Sequence, residues 1–136
     1  MNRLYILLTV MVVMVGALFA GHQALAKILT GTAGDDTLVG TDGKDRLKGR
    51  SGADHLKGSR GEDRLKGNRG NDKIFPGEGN DKVYAGAGND LTYARDTDGK
   101  DYIDCGGGFD QVETIHRDDE TISNCERARE ILRTSP

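Results

Sequence analysis

The sequence has no tryptophan, three phenylalanines, two prolines and two cysteines in 136 residues. Apolar residues are scarce where a globular core would need them: 19 of 48 fall within residues 1–26, leaving 29 for the 110 that follow. A layered core cannot be filled at that density, which excludes a dinucleotide-binding fold, a helix bundle and a membrane transporter. Beyond residue 26 there are two histidines, His55 and His116, and neither stands in a nucleophile or metal-ligand pattern. A core that thin encloses no pocket, so the chain does not read as an enzyme. What remains after residue 26 is 18 glycines and 40 charges, 22 acidic and 18 basic. That acidic balance argues against a nucleic-acid partner. Polarity of this degree ordinarily means disorder, but the order of the residues says otherwise.

The apolar residues missing from the rest are concentrated at the start. Asn2 and Arg3 precede an apolar run over residues 4–20 broken only by Thr9 and Gly16, and Ala24 and Ala26 supply small residues at a cleavage site. This is the plan of a secretory signal peptide over residues 1–26, cut before Lys27, which leaves a secreted, extracellular chain with no membrane span. The alternative is an uncleaved anchor, since the run approaches a minimal span. In an oxidising compartment Cys105 and Cys125 are expected to form a disulfide worth about 3 kcal/mol. Two cysteines and scattered histidines do not make a zinc site.

From residue 31 the chain repeats every nine residues. Position four is glycine in nine units, from Gly34 to Gly108, and position six is aspartate in all nine. Position eight is Leu38, Leu47, Leu56, Leu65, Ile74, Val83, Thr92, Ile103 and Val112, apolar in eight of the nine. A flexible linker would not hold Asp and Leu in phase. The glycines permit a tight turn. Positions seven to nine read as a three-residue strand with its middle side chain inward. Such a unit buries one residue and is stable only when stacked, so two units make one coil of 18 residues and the core is a single apolar ladder.

Stacking every second unit sets Asp36, Asp54, Asp72 and Asp90 in one column and Asp45, Asp63 and Asp81 in the other. Asp101 and Asp110 lie beyond a two-residue insertion within residues 94–98. Carboxylates at strand spacing repel one another unless a cation lies between them. Oxygen donors without Cys or His suit Ca²⁺. The alternative is that each Asp merely caps its turn. The pattern Gly-Gly-x-Gly-x-Asp-x-apolar-x resembles the repeat of the RTX (haemolysin-type) calcium-binding family, and residues 31–113 look like nine copies. The resemblance implies an all-β fold, a parallel β-roll (a two-sheet solenoid), holding several Ca²⁺ ions in its turns. The implied ligands are Asp36, Asp45, Asp54, Asp63, Asp72, Asp81, Asp90, Asp101 and Asp110.

Three departures from that pattern carry expectations. The first five units lack the second glycine (Thr32, Thr41, Arg50, Ser59, Asn68) and the next two lack the first (Pro76, Ala85), which points to weaker or differently shaped sites. The insertion is expected to interrupt the stack between Asp90 and Asp101. The N-terminal signal implies general secretion, where family members using the type I route carry a C-terminal signal. Asp96, Asp98 and Gly99 resemble the middle of an EF-hand loop, but Ala94 and Cys105 stand where that loop needs its end ligands.

Residues 114–136 leave the repeat. Ser123 and Glu126 have capping-box spacing, and residues 126–133 read as a short helix within a C-terminal cap tied to the 27–113 roll by the disulfide. A partner-binding helix is the alternative. Outward strand positions are basic (Arg46, Lys48, Lys57, Arg64, Lys66, Lys73, Lys82), with Phe75, Tyr84 and Tyr93 further along. They form either a solvated face that discourages edge pairing or a surface for acidic polysaccharide. The chain is thus expected to be a secreted calcium-binding protein that folds on binding the ion. An extracellular matrix module, or an accessory of another exported protein, is the alternative.

Overall fold

The computed structural model describes residues 25–95, 99–115 and 121–130. The expected signal peptide lies outside the described residues except for its last two. The chain forms β1 (Ile28–Thr30), β2 (Thr37–Val39), β3 (Arg46–Ser51), β4 (His55–Arg60), β5 (Arg64–Arg69) and β6 (Lys73–Glu78). It continues with β7 (Lys82–Ala87), β8 (Leu91–Ala94), β9 (Tyr102–Gly107), β10 (Gln111–Thr114), β11 (Thr121–Ser123) and β12 (Arg127–Glu130). Odd strands build one six-stranded sheet and even strands the other, in the order of the chain. Pairing is parallel, with Leu47 opposite Leu65 and Leu56 opposite Ile74, one coil of 18 residues apart. This is the two-sheet β-roll. Among the described residues no helix is long and apolar enough to cross a membrane.

The strands are longer than the repeat suggested. β3 to β7 and β9 run for six residues, because the first three positions of the next unit continue the extended chain. Burial alternates along Arg46, Leu47, Lys48 and Gly49, so position one also faces inward. The core is therefore not one ladder. Leu47, Leu65, Val83 and Ile103 from one sheet face Leu56, Ile74 and Val112 from the other, and Ala85, Ala94, Cys105 and Thr114 add a column at position one, none more than 1% exposed.

At Gly52, Gly61, Gly70, Gly79, Gly88 and Gly108 the coils approach so closely that position four must be glycine. Gly70 has φ of 118°, and a methyl group on it would lie 1.9 Å from the carbonyl oxygen of Gly52. Position two is also left-handed in the middle of the roll. Arg50, Ser59 and Asn68 hold φ of 94°, 96° and 82° where later units place Gly77, Gly86 and Gly106. Each such non-glycine residue stores on the order of 1–2 kcal/mol of strain.

Two expectations are corrected here. The insertion does not interrupt the stack: Lys82 pairs with Tyr102 and Val83 with Ile103, an offset of 20 instead of 18, and the ladder is otherwise unbroken. The extra residues are absorbed between strands, so the inward alternation of Val83 and Ile103 is kept. Nor do residues 127–130 form a helix. They are β12, paired with β10 in the register Gln111↔Arg127. The exposed edge of β10 offers unpaired backbone groups, and Arg127 N–H donates to Asp110 O at 3.1 Å. Ser123 is spent inside β11, where its hydroxyl donates to Ile103 O at 3.4 Å, and Asn124 takes φ of 54°, so neither starts a helix. Residues 131–133 of the expected helix lie outside the described residues. A weaker joint falls between β6 and β8, where pairing stops at Ile74↔Thr92 because Pro76 has no N–H to donate. The disulfide Cys105–Cys125 is present, with Cα atoms 5.1 Å apart, and ties β9 to the chain beyond β11.

Candidate metal centre

Each turn ends on the position-six aspartate, which enters the next strand with its side chain inward. Apart from Asp36, which is half-buried, these aspartates are no more than 2% exposed. Their order comes from the backbone. The N–H of each donates to Oδ1 of the aspartate one coil further on: Asp36 to Asp54 at 2.8 Å, Asp54 to Asp72 at 2.8 Å, Asp72 to Asp90 at 2.8 Å and Asp90 to Asp110 at 2.8 Å. The second column runs Asp45 to Asp63 at 2.7 Å, Asp63 to Asp81 at 2.7 Å and Asp81 to Asp101 at 2.9 Å. The structure thus brings all nine sequence-predicted residues into two continuous columns, with Asp101 and Asp110 included. Of the EF-hand-like segment, Asp96 and Asp98 lie outside the described residues, and Asp101 is a rung of the roll.

The second oxygen of these carboxylates separates the units into two kinds. Oδ2 of Asp54, Asp63, Asp72, Asp90 and Asp110 is buried and accepts no hydrogen bond. An ionised oxygen in that condition is strongly unfavourable. Burial, before any other cause, pushes the carboxyls of Asp63, Asp72 and Asp90 up to about 6, and raises those of Asp54 and Asp110. The N–H bonds to Oδ1 pull the other way, and neighbouring carboxylates in the column add to the rise.

In the first two units threonine supplies what is missing. Thr32 N–H and hydroxyl reach Asp36 Oδ2 at 2.6 and 3.0 Å. Thr41 N–H also donates to Asp45 Oδ2, and its hydroxyl lies 3.1 Å from both carboxylate oxygens. Thr41→Ala should therefore lower stability by about 1–2 kcal/mol at fixed calcium, while Thr41→Ser keeps it. Thermal melts of the two variants check this, and an equal loss in both would refute the hydroxyl's role.

Carbonyl oxygens converge on the same carboxylates. The point where a methyl group on Gly40 would sit is 2.4 Å from Asp45 Oδ2 and 2.4 Å from Gly58 O. At Gly67 the distances are 2.1 Å to Asp72 Oδ2 and 2.5 Å to Ala85 O. A carboxylate oxygen and a carbonyl oxygen thus stand within reach of one ion, over a glycine that leaves room for them. Among the described residues no three His, Cys, Asp or Glu side chains cluster. Any ion's shell here must mix single carboxylates with carbonyls and water, the donor set of a hard, loosely coordinated cation. The buried unsatisfied oxygens and the glycine-floored gaps fit Ca²⁺.

Position five carries a feature the repeat reading passed over. Asn71 Oδ1 accepts from Asn89 N–H at 2.8 Å, Asn80 Oδ1 from Lys100 N–H at 2.7 Å, and Asn89 Oδ1 from Phe109 N–H at 3.0 Å. Three consecutive units with Asn before Asp were the available signal. These amides tie the turn tips together outside the carboxylate columns, so the turns are held on both flanks. His55 has no such role; it packs on Phe75 with ring centres 5.0 Å apart, while His116 lies outside the described residues.

Comparison with curated proteins finds no match. A family model described as the RTX calcium-binding nonapeptide repeat (4 copies) matches residues 30–65 and again 57–92. That is the stretch in which the threonine-closed units pass into the unsatisfied carboxylate columns. Through residues 30–92 the chain belongs to the RTX calcium-binding nonapeptide repeat family, a calcium-binding module and not a catalytic one.

Proposed function

We propose that this protein is a secreted module whose roll closes only when Ca²⁺ occupies its turns, so that ion binding and folding are one event. The observation that carries the reading is the set of buried, unsatisfied Oδ2 atoms at Asp54, Asp63, Asp72, Asp90 and Asp110. With no ion, these charges are desolvated beside one another, and an open chain that hydrates them is favoured. With an ion, carboxylate and carbonyl oxygens gain a common partner and the apolar ladder can pack. Binding free energy then becomes folding free energy.

All nine aspartates are proposed ligands. Asp36 and Asp45 are the weakest, because threonine already satisfies them. Sites of this extracellular kind bind at roughly 10⁻⁴–10⁻³ M, a range matched to a compartment rich in calcium. RTX-type proteins are typically extracellular, and the apolar segment at 1–26 supports export of this one as a signal peptide. Beyond the ion, five of the seven outward cations share one sheet, which favours an acidic polysaccharide as partner.

Far-UV circular dichroism through a calcium titration, with magnesium as control, tests the ion's role. The expected result is a cooperative gain of β signal with calcium alone. A β signal already complete in chelator would mean the aspartates only cap turns, and the reading would fall.

A further inference from the structure

We infer that the outer face of the odd-strand sheet is a docking track for a linear acidic polysaccharide, laid along the roll axis and formed only in the calcium-loaded protein. The inference rests on the calcium-dependent folding proposed above and gives the polysaccharide reading a site, a direction and a switch.

The sequence scatters its outward cations, and the fold sorts them by strand parity. Register places Arg46 opposite Arg64 and Arg64 opposite Lys82 in one row, and Lys48 opposite Lys66 in the next, which continues to Tyr84 and ends its cationic part there, since Asp104 follows. The even-strand sheet receives only Lys57 and Lys73 of that set, and in place of a cationic row it carries the ring stack of His55, Phe75 and Tyr93. Among the described residues none of the five cations takes part in an ion pair. Glu62 stands at the rim of the face and bonds Lys44 at 2.5 Å. A depression of about 360 Å³ is bordered by Thr30, Arg46, Lys48, Arg64 and Lys66.

Like charges stacked at strand spacing, about 4.8 Å, repel one another. A folded face that keeps such rows, with its nearby acids confined to Glu62 at the rim and Asp104 beyond Tyr84, is complementary to an anion repeating at a similar interval along the same axis. A polyuronate meets that condition, since it carries a carboxylate on every sugar. Tyr84 adds an apolar surface for a sugar ring next to Lys66 in the second row, and it is held in place by Arg64 and Lys66, 5.1 and 5.3 Å from the ring centre. The rows exist only while successive coils are stacked, so an open, calcium-free chain offers no track. By linkage the polysaccharide should in turn raise the apparent affinity for calcium.

The test is titration of the full-length protein with a short oligogalacturonate, too short to gel with calcium. Calcium-loaded and chelated protein are compared, and circular dichroism is recorded in parallel. Binding is expected in calcium and lost in chelator, and it should weaken steeply with salt. Arg64→Glu/Lys66→Glu should reduce affinity at least about tenfold with the calcium-induced β signal retained. Arg46→Glu/Lys48→Glu provides the same test if the first pair fails to fold. Lys57→Glu/Lys73→Glu, on the other sheet, should change affinity less than about twofold. The inference is overturned if the odd-sheet variants bind as well as the parent, if the even-sheet variant loses as much, or if duplex DNA or anionic vesicles bind equally well. A missing calcium response in circular dichroism would instead sink the folding reading, so the two failures are distinguishable.

Discussion

Leu65→Ala should shift the calcium dependence of folding to higher concentration without lowering the final β signal. Leu65 is fully buried at the middle of the roll, between Leu47 and Val83 in its own sheet and with Leu56 and Ile74 across the core. The apolar filling is so thin that no neighbour can move in to close the void. The loss should lie toward the upper part of the usual range for such a change, about 3–5 kcal/mol. In a protein whose folding is coupled to ion binding, that loss is offset by raising calcium, so the variant folds late and not incompletely. Circular dichroism against free calcium measures it. An unchanged midpoint would mean that the apolar ladder is not packed in the calcium-bound state.

Acid should partly replace calcium. The carboxyls of Asp63, Asp72 and Asp90 titrate near 6 in the roll, against an ordinary value of 3.8. The folded state therefore binds more protons than the open chain between those values. The stability this contributes is fully present below about pH 3.8, and it is lost as the pH rises through about 6. In chelator, β signal should accordingly grow as the pH is lowered from 7.5 toward 4, and it should reverse on neutralisation. With calcium saturating, the upper part of that excursion, between pH 7.5 and 6.5, should change little, because the ion already satisfies the oxygens. If acid leaves the chelated protein open, desolvation of these carboxylates is not what holds the roll apart.

Both expectations come from the same structural economy. Nearly every unit contributes one large apolar residue and one buried carboxylate, Thr92 and the half-buried Asp36 being the exceptions, so neither the core nor the acidic columns can be treated as secondary. The threonine-closed carboxylates at Asp36 and Asp45 soften this at one end of the roll, and the disulfide between Cys105 and Cys125 holds the other. The unsatisfied Oδ2 atoms are those of Asp54, Asp63, Asp72, Asp90 and Asp110.

The nine-residue period determined the stacking of every second unit, the inward position-eight residues and the aspartate columns, and the two cysteines with the export segment determined the disulfide. The period could do so because a unit that buries one residue has no stable alternative to stacking, and stacking every second unit follows from the turn between them. What the period did not reveal depends on neighbours in space. Position one looked like turn glycine until the alternation along Lys48 and Gly49 turned it inward. The insertion looked like a break, yet backbone pairing between β7 and β9 outweighed two extra residues, which a loop can absorb. Residues 126–133 carried good helical signals, but the open edge of β10 gave residues 127–130 interchain-like pairing that a lone short helix could not match. Only the tertiary structure decided which carboxylates threonine closes and which are left for an ion. That distinction depends on the path of the chain at position two, where Thr32 and Thr41 turn their N–H groups onto an aspartate and Arg50, Ser59 and Asn68 are left-handed instead.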